Sequence, residues 1–184
     1  MDIKTIVVGP IEENCYVLKK GNDVLVIDPG DEFDKIKETI KSLNVVGILI
    51  THAHFDHIGA LKDLVEYTNA NVYYNNINNE IDDVINIKEG KYKIKDFEFE
   101  VISFKGHRND LCAFYFEKEK VMFTGDFLFK LSIGRTDLEY GNDEDMFISL
   151  KKILDYDPEI IIYPGHGDST SLGYEFEFNN FLKF

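Results

Sequence analysis

The stretch Thr51-His52-Ala53-His54-Phe55-Asp56-His57 constrains this chain more than any other. Three imidazoles and a carboxylate fall within six consecutive residues, 52–57. An apolar, largely β-branched run, Val45-Val46-Gly47-Ile48-Leu49-Ile50, precedes it and reads as a buried strand. Ala60-Leu61, Leu64-Val65 and Tyr67 follow at helical spacing. The cluster therefore sits at the C-terminal end of a strand, on the loop into a helix, where open α/β folds place ligand sites. Imidazole nitrogen and carboxylate oxygen are ligands for first-row divalent metals. Residues alternating along an extended segment point the same way, so His52 and His54 suit one ion. Asp56 and His57, at the turn into the helix, suit a second.

Composition narrows the partners. The 184 residues suit one domain, 1–184, with a substantial core, and 44% are apolar. A formal net charge of -14 disfavours nucleic acid and anionic membrane. No apolar run is long enough to span a bilayer, and no basic-then-apolar leader opens the chain. The expectation is a cytoplasmic protein. Cys15 and Cys112 lie in strand-like apolar surroundings and form no Cys-x-x-Cys, so both are expected to be buried and reduced.

Elsewhere the chain alternates short strands with turns and helices. Strands are predicted at 3–8, 15–18 and 24–27, and a helix at 33–43. Residues 75–86 read as loop, hairpins are predicted over 92–104 and 111–124, and a helix over 146–154. A strand over 160–163 and a helix over 173–182 complete the pattern. Cys15 to Asp28 and Cys112 to Asp126 share one plan of strand, turn, strand and aspartate.

The chain has five histidines, three of them in the opening cluster. His107 follows a strand and Gly106, and His166 follows a strand and Pro164-Gly165. Asp126 follows a strand and Gly125. Every histidine thus lies just beyond an apolar strand, beside glycine or another histidine.

His-x-His-x-Asp-His, a later Gly-His, a strand-end Gly-Asp and a Pro-Gly-His-Gly, in that order, resemble the metallo-β-lactamase superfamily. Glu13-Asn14-Cys15-Tyr16, Ile27-Asp28-Pro29-Gly30 and Thr124-Gly125-Asp126 extend the likeness over nearly the whole chain. Ile133-Gly134-Arg135-Thr136-Asp137 is similar to the small glyoxalase II-like branch. The resemblance implies an α/β fold, an αββα sandwich of two mixed sheets flanked by helices. It implies two divalent metal ions, one on His52, His54 and His107, the other on Asp56, His57 and His166, with Asp126 bridging. Zinc suits this mixed nitrogen and oxygen set, as do iron and manganese. The implied activity is hydrolysis of a small thioester or ester by a metal-bridging hydroxide, with Asp56 orienting it and taking its proton. Asp28 either accepts a hydrogen bond from a ligand imidazole or caps the turn at Pro29-Gly30. Arg135 either holds a substrate carboxylate or makes an ordinary surface ion pair.

Two features depart from the pattern. After His107 the chain reads Arg108-Asn109-Asp110, where the family usually has Thr or Ser and a glycine-containing turn. The added C-terminal helical domain of the larger glyoxalase II enzymes has no counterpart, so glutathione recognition does not follow. The same fold also serves mononuclear iron persulfide dioxygenases and lactonases, and these are the alternative readings. A non-catalytic metal-binding role fits less well with a complete ligand set.

Overall fold

The computed structural model describes residues 1–184, which fall into two compact units. The first holds residues 1–87 and 93–98, the second residues 88–92 and 99–184.

The first unit begins with three antiparallel strands, β1 (Asp2–Val8), β2 (Glu13–Lys20) and β3 (Asp23–Ile27). Helix α1 (Phe33–Ile40) then crosses over, and β4 (Asn44–Ile50) pairs parallel to β3. Short helix α2 (Phe55–Ile58) and helix α3 (Leu61–Thr68) lead to β5 (Val72–Tyr74) and β6 (Val84–Asn86), both added in parallel. The sheet runs in the order β1 to β6 and is mixed. The strands nearest its centre are the most apolar, since parallel strands are covered on both faces. Val24 to Ile27 and Ile48 to Ile50 are buried. Ile36 and Ile40 of α1 and Leu61 and Leu64 of α3 pack into the same core as Val24, Val26, Ile48 and Ile50.

The second unit carries most of the other sheet, ordered β14-β13-β10-β9-β8-β7. Its hairpin β7 (Gly90–Ile94) and β8 (Phe97–Ser103) has its tip, 93–98, grouped with the first unit. Strands β9 (Cys112–Phe116) and β10 (Val121–Gly125) are antiparallel. A two-strand ribbon, β11 (Leu128–Phe129) and β12 (Ser132–Ile133), precedes helix α4 (Asp143–Ile153). Strand β13 (Ile161–Pro164) returns parallel to β10, β14 (Thr170–Ser171) pairs with β13, and α5 (Leu172–Phe178) follows. Phe104 and Phe127 stack with centroids 4.3 Å apart in a core that includes Met146, Leu150 and Ile153 of α4.

The two units therefore repeat one plan. Hairpin β2–β3 ends at Asp28, and the strand beyond its crossover helix ends at the His52 cluster. Hairpin β9–β10 ends at Asp126, and the strand beyond α4 ends at His166. Two mixed sheets with helices are what the sequence implied.

Some elements differ from expectation. Helix α1 stops at Ile40 rather than residue 43, because 41–42 form a turn into β4. The helix expected after the cluster is split at Gly59-Ala60 into α2 and α3. Residues 84–86, expected as loop, form the edge strand β6. The C-terminal helix ends at Phe178, and a separate single turn covers 180–182. No helix is long and apolar enough to cross a membrane.

Candidate metal centre

In the first unit, the end of β4 delivers Thr51 and His52, and α2 delivers His57, all three in full burial. His52 Nε2 and His54 Nδ1 stand 3.0 Å apart. His57 Nε2 lies 3.6 Å from Asp56 Oδ2. Behind them Asp28 occupies a left-handed backbone position, φ 48°, which aspartate tolerates better than most residues. That turn aims its carboxylate inward, where it is 2% exposed.

Asp28 fixes the protons of two imidazoles. A carboxylate only accepts, so Nδ1 of His57 donates to Asp28 Oδ2 at 3.0 Å. Thr51 donates its amide to Asp28 Oδ1 at 2.8 Å and its hydroxyl to Oδ2 at 2.6 Å. With its proton committed there, the Thr51 hydroxyl accepts from Nδ1 of His52 at 3.0 Å. Both His52 and His57 consequently carry no proton on Nε2, the form a metal needs.

Glu13 is a further participant that the sequence reading missed as a site residue. It is 1% exposed, and its Oε1 lies 3.7 Å from His57 Nδ1. Glu13, Asp28 and His57 offer donor atoms within 4.8 Å of one another. Gly30 leaves the necessary room: a Cβ there would lie 1.8 Å from the Asp56 carbonyl and 2.5 Å from Glu13 Oε2. Burial of Cys15, with Glu13 and Asp28 nearby, pushes its thiol well above the usual range. Both cysteines are buried and unbridged, as expected.

In the second unit, His107 donates from Nδ1 to the Arg135 carbonyl at 2.7 Å, which leaves Nε2 as the unprotonated ring nitrogen. That Nε2 lies 3.5 Å from Asp126 Oδ2. His166 Nε2 lies 3.7 Å from the other oxygen, Asp126 Oδ1. One carboxylate thus turns a different oxygen to each of two imidazoles. Gly106, φ 135°, lets the chain pass α4, since a Cβ there would lie 2.4 Å from Met146 Cα. Arg108 and Asp110, which follow His107, form a pair that is 4% and 0% exposed. Nothing in residue type alone distinguishes them from surface charges.

Arg135 is exposed and grips Asp137 with two hydrogen bonds, Nε to Oδ1 at 2.6 Å and Nη2 to Oδ2 at 2.7 Å. This pairing holds the Asp137 carboxyl down at about 2.

The donor atoms fit a divalent metal. Two ligands, each about 2.1 Å from one ion at a tetrahedral angle, stand about 3.4 Å apart. The His57–Asp56, His107–Asp126 and His166–Asp126 separations of 3.6, 3.5 and 3.7 Å are near that value and too long for hydrogen bonds. Buried carboxylates turned toward imidazole lone pairs also call for a cation between them.

The chain is similar to known proteins in both sequence and structure. A family model described as the metallo-beta-lactamase superfamily matches residues 8–82 and 77–166. Hydroxyacylglutathione hydrolase GloC of Haemophilus influenzae is 31% identical over 209 residues, spanning 100% of this chain and 99% of that protein. The crystal structure of the BLEG-1 B3 metallo-beta-lactamase is similar with TM-score 0.91 and 31% identity, covering 100% of each chain. That of TTHA1623 in a di-iron-bound form gives TM-score 0.89 and 34% identity, covering 97% of this chain and 99% of that one.

Proposed function

The chain belongs to the metallo-β-lactamase superfamily, and on that premise we propose that it is a binuclear hydrolase of acyl thioesters, of the glyoxalase II type. His52, His54 and His107 hold one divalent ion in this reading. Asp56, His57 and His166 hold the other, and Asp126 is shared. The observation that carries it is Asp126, which turns Oδ2 to His107 and Oδ1 to His166. The tautomers of His52, His57 and His107, each with its proton on Nδ1, support it too. Residues 1–184 work as a single domain.

When bound, two such ions make hydroxide available at neutral pH and stabilise the negative charge that develops on a carbonyl oxygen. The chain's own groups do the rest. Asp56, on the first turn of α2, orients the attacking water and takes its proton. Asp28 and Thr51 keep Nδ1 of His57 and His52 protonated throughout. Arg135 exchanges Asp137 for a carboxylate on the substrate, since a guanidinium fork matches either. A thiolate is a good leaving group and departs without a strong acid, which suits a site whose histidines are all engaged.

The likeness to a hydroxyacylglutathione hydrolase over the full chain supports the thioester class. Zinc suits the ligand set, as do iron and manganese, and one similar protein is known in a di-iron-bound form. The metal-loaded protein should hydrolyse S-lactoylglutathione or simple acyl thioesters. Failure on all of them, with oxygen consumed in the presence of a glutathione persulfide, would instead support the mononuclear iron dioxygenase reading. Turnover of a cyclic ester alone would support a lactonase.

A further inference from the structure

The segment 135–142 and the loop 106–108 are fastened at both ends and in the middle. At one end His107 donates to the Arg135 carbonyl at 2.7 Å. At the other, the Asn142 amide donates to the Gly106 carbonyl at 2.8 Å. Between them the Tyr140 ring lies over the Arg108 guanidinium, 5.1 Å from its carbon. Arg108 is also held within its own loop. It is 4% exposed and gripped from below by Asp110, with Nε to Oδ1 at 2.8 Å and Nη2 to Oδ2 at 3.3 Å.

Tyr140 reaches this place at a cost. Its φ is 63°, in the left-handed region that a bulky aromatic residue rarely adopts, and it is 41% exposed. Tyr140 is exposed and lies outside the buried core, so core packing does not account for the strain. The neighbouring turn is closed independently, by the Gly141 amide on the Leu138 carbonyl and by the Thr136 hydroxyl on Asp143. What the strained backbone achieves is the stacking of Tyr140 on Arg108.

We propose that Tyr140 is a positioning residue for His107. By capping the buried Arg108–Asp110 pair it locks the segment 135–142 onto the His107 loop. The aim of the His107 imidazole and the placement of Arg135 are thereby set together. The residues that depart from the family pattern after His107 are, on this view, the anchor of that lock. The proposal rests on His107 being a metal ligand, as assigned above.

The test uses three variants of the full chain. Tyr140→Gly and Tyr140→Asn remove the ring and tolerate a left-handed backbone, and Tyr140→Phe keeps the ring. In the metal-free protein, amide exchange at Asn142 should accelerate in the first two and not in the third. Their melting temperature shows that both variants fold, relief of the strain at residue 140 opposing the loss of the ring contact. Cobalt titration should show one of two sites weakened about tenfold or more, the scale of lost support to a metal ligand, and Tyr140→Phe should restore it. A merely structural tyrosine would leave cobalt affinity at both sites unchanged, whatever the melting temperature. Unchanged Asn142 exchange and unchanged cobalt affinity in both ring-deleted variants would overturn the proposal. If the wild-type protein binds no cobalt, the metal assignment fails separately, and the exchange data alone decide whether the lock exists.

Discussion

Asp28 accepts a hydrogen bond from Nδ1 of His57 through the same oxygen, Oδ2, that accepts the Thr51 hydroxyl. Three donors converge on this carboxylate, counting the Thr51 amide. An asparagine offers one acceptor oxygen in place of two and leaves a buried donor unmet. Asp28→Asn should therefore weaken metal binding about 10–100-fold, and cobalt titration of the purified variant measures it. Wild-type affinity would mean that Asp28 serves only its turn.

Thr51→Val separates the two arms of that network. The shape is kept, but His52 Nδ1 loses its acceptor and Asp28 loses one of its three donors, while the Thr51 amide and His57 bonds to Asp28 remain. Only the ion held by His52 should bind more weakly, by about tenfold. The loss of a buried hydrogen-bond partner should lower stability by about 1–3 kcal/mol, read from urea unfolding. Equal weakening of both ions would contradict the separation.

Gly106→Ala tests how the chain carries His107 past α4. A Cβ would meet Met146 Cα at 2.4 Å and its nitrogen at 2.6 Å, at φ 135°. The backbone strain alone should remove about 1–3 kcal/mol of stability, and the clash should add to it. A midpoint of urea unfolding equal to wild type would show that α4 yields easily.

The Arg135–Asp137 pair gives a pH prediction. Asp137, held at about 2 in the folded chain, titrates near 3.9 when unfolded. Its folded-state pKa is depressed, so the pair's contribution is complete above about pH 4 and fades as pH falls through about 2. Between pH 5 and 9 the pair should leave KM for a carboxylate-bearing thioester flat. Asp137→Asn frees the guanidinium and should lower that KM at every pH in the range, with little change in melting temperature because both side chains are exposed. An unchanged KM would leave Arg135 an ordinary surface ion pair.

Much of this was legible in the sequence. His52, His54, Asp56 and His57 announce themselves by density, and His107, Asp126 and His166 by the apolar strand and glycine before each. Strand ends beside glycine are recognisable because apolar runs and turn residues are local signals. Glu13 was not recognisable as a site residue, since a glutamate at the head of a strand reads as surface until the fold buries it. Arg108 and Asp110 were hidden for the same reason, and the stacking of Tyr140 depends on a left-handed turn that no composition signals. Strand β6 escaped because three residues, Val84–Asn86, carry too short a pattern.

The most direct test of the binuclear assignment is the metal content of the purified 184-residue chain, by elemental analysis, beside that of Asp126→Ala. Two divalent ions per chain in the wild type, with loss of metal in the variant, is the expected result. One iron per chain, or a variant that keeps both ions, would contradict it.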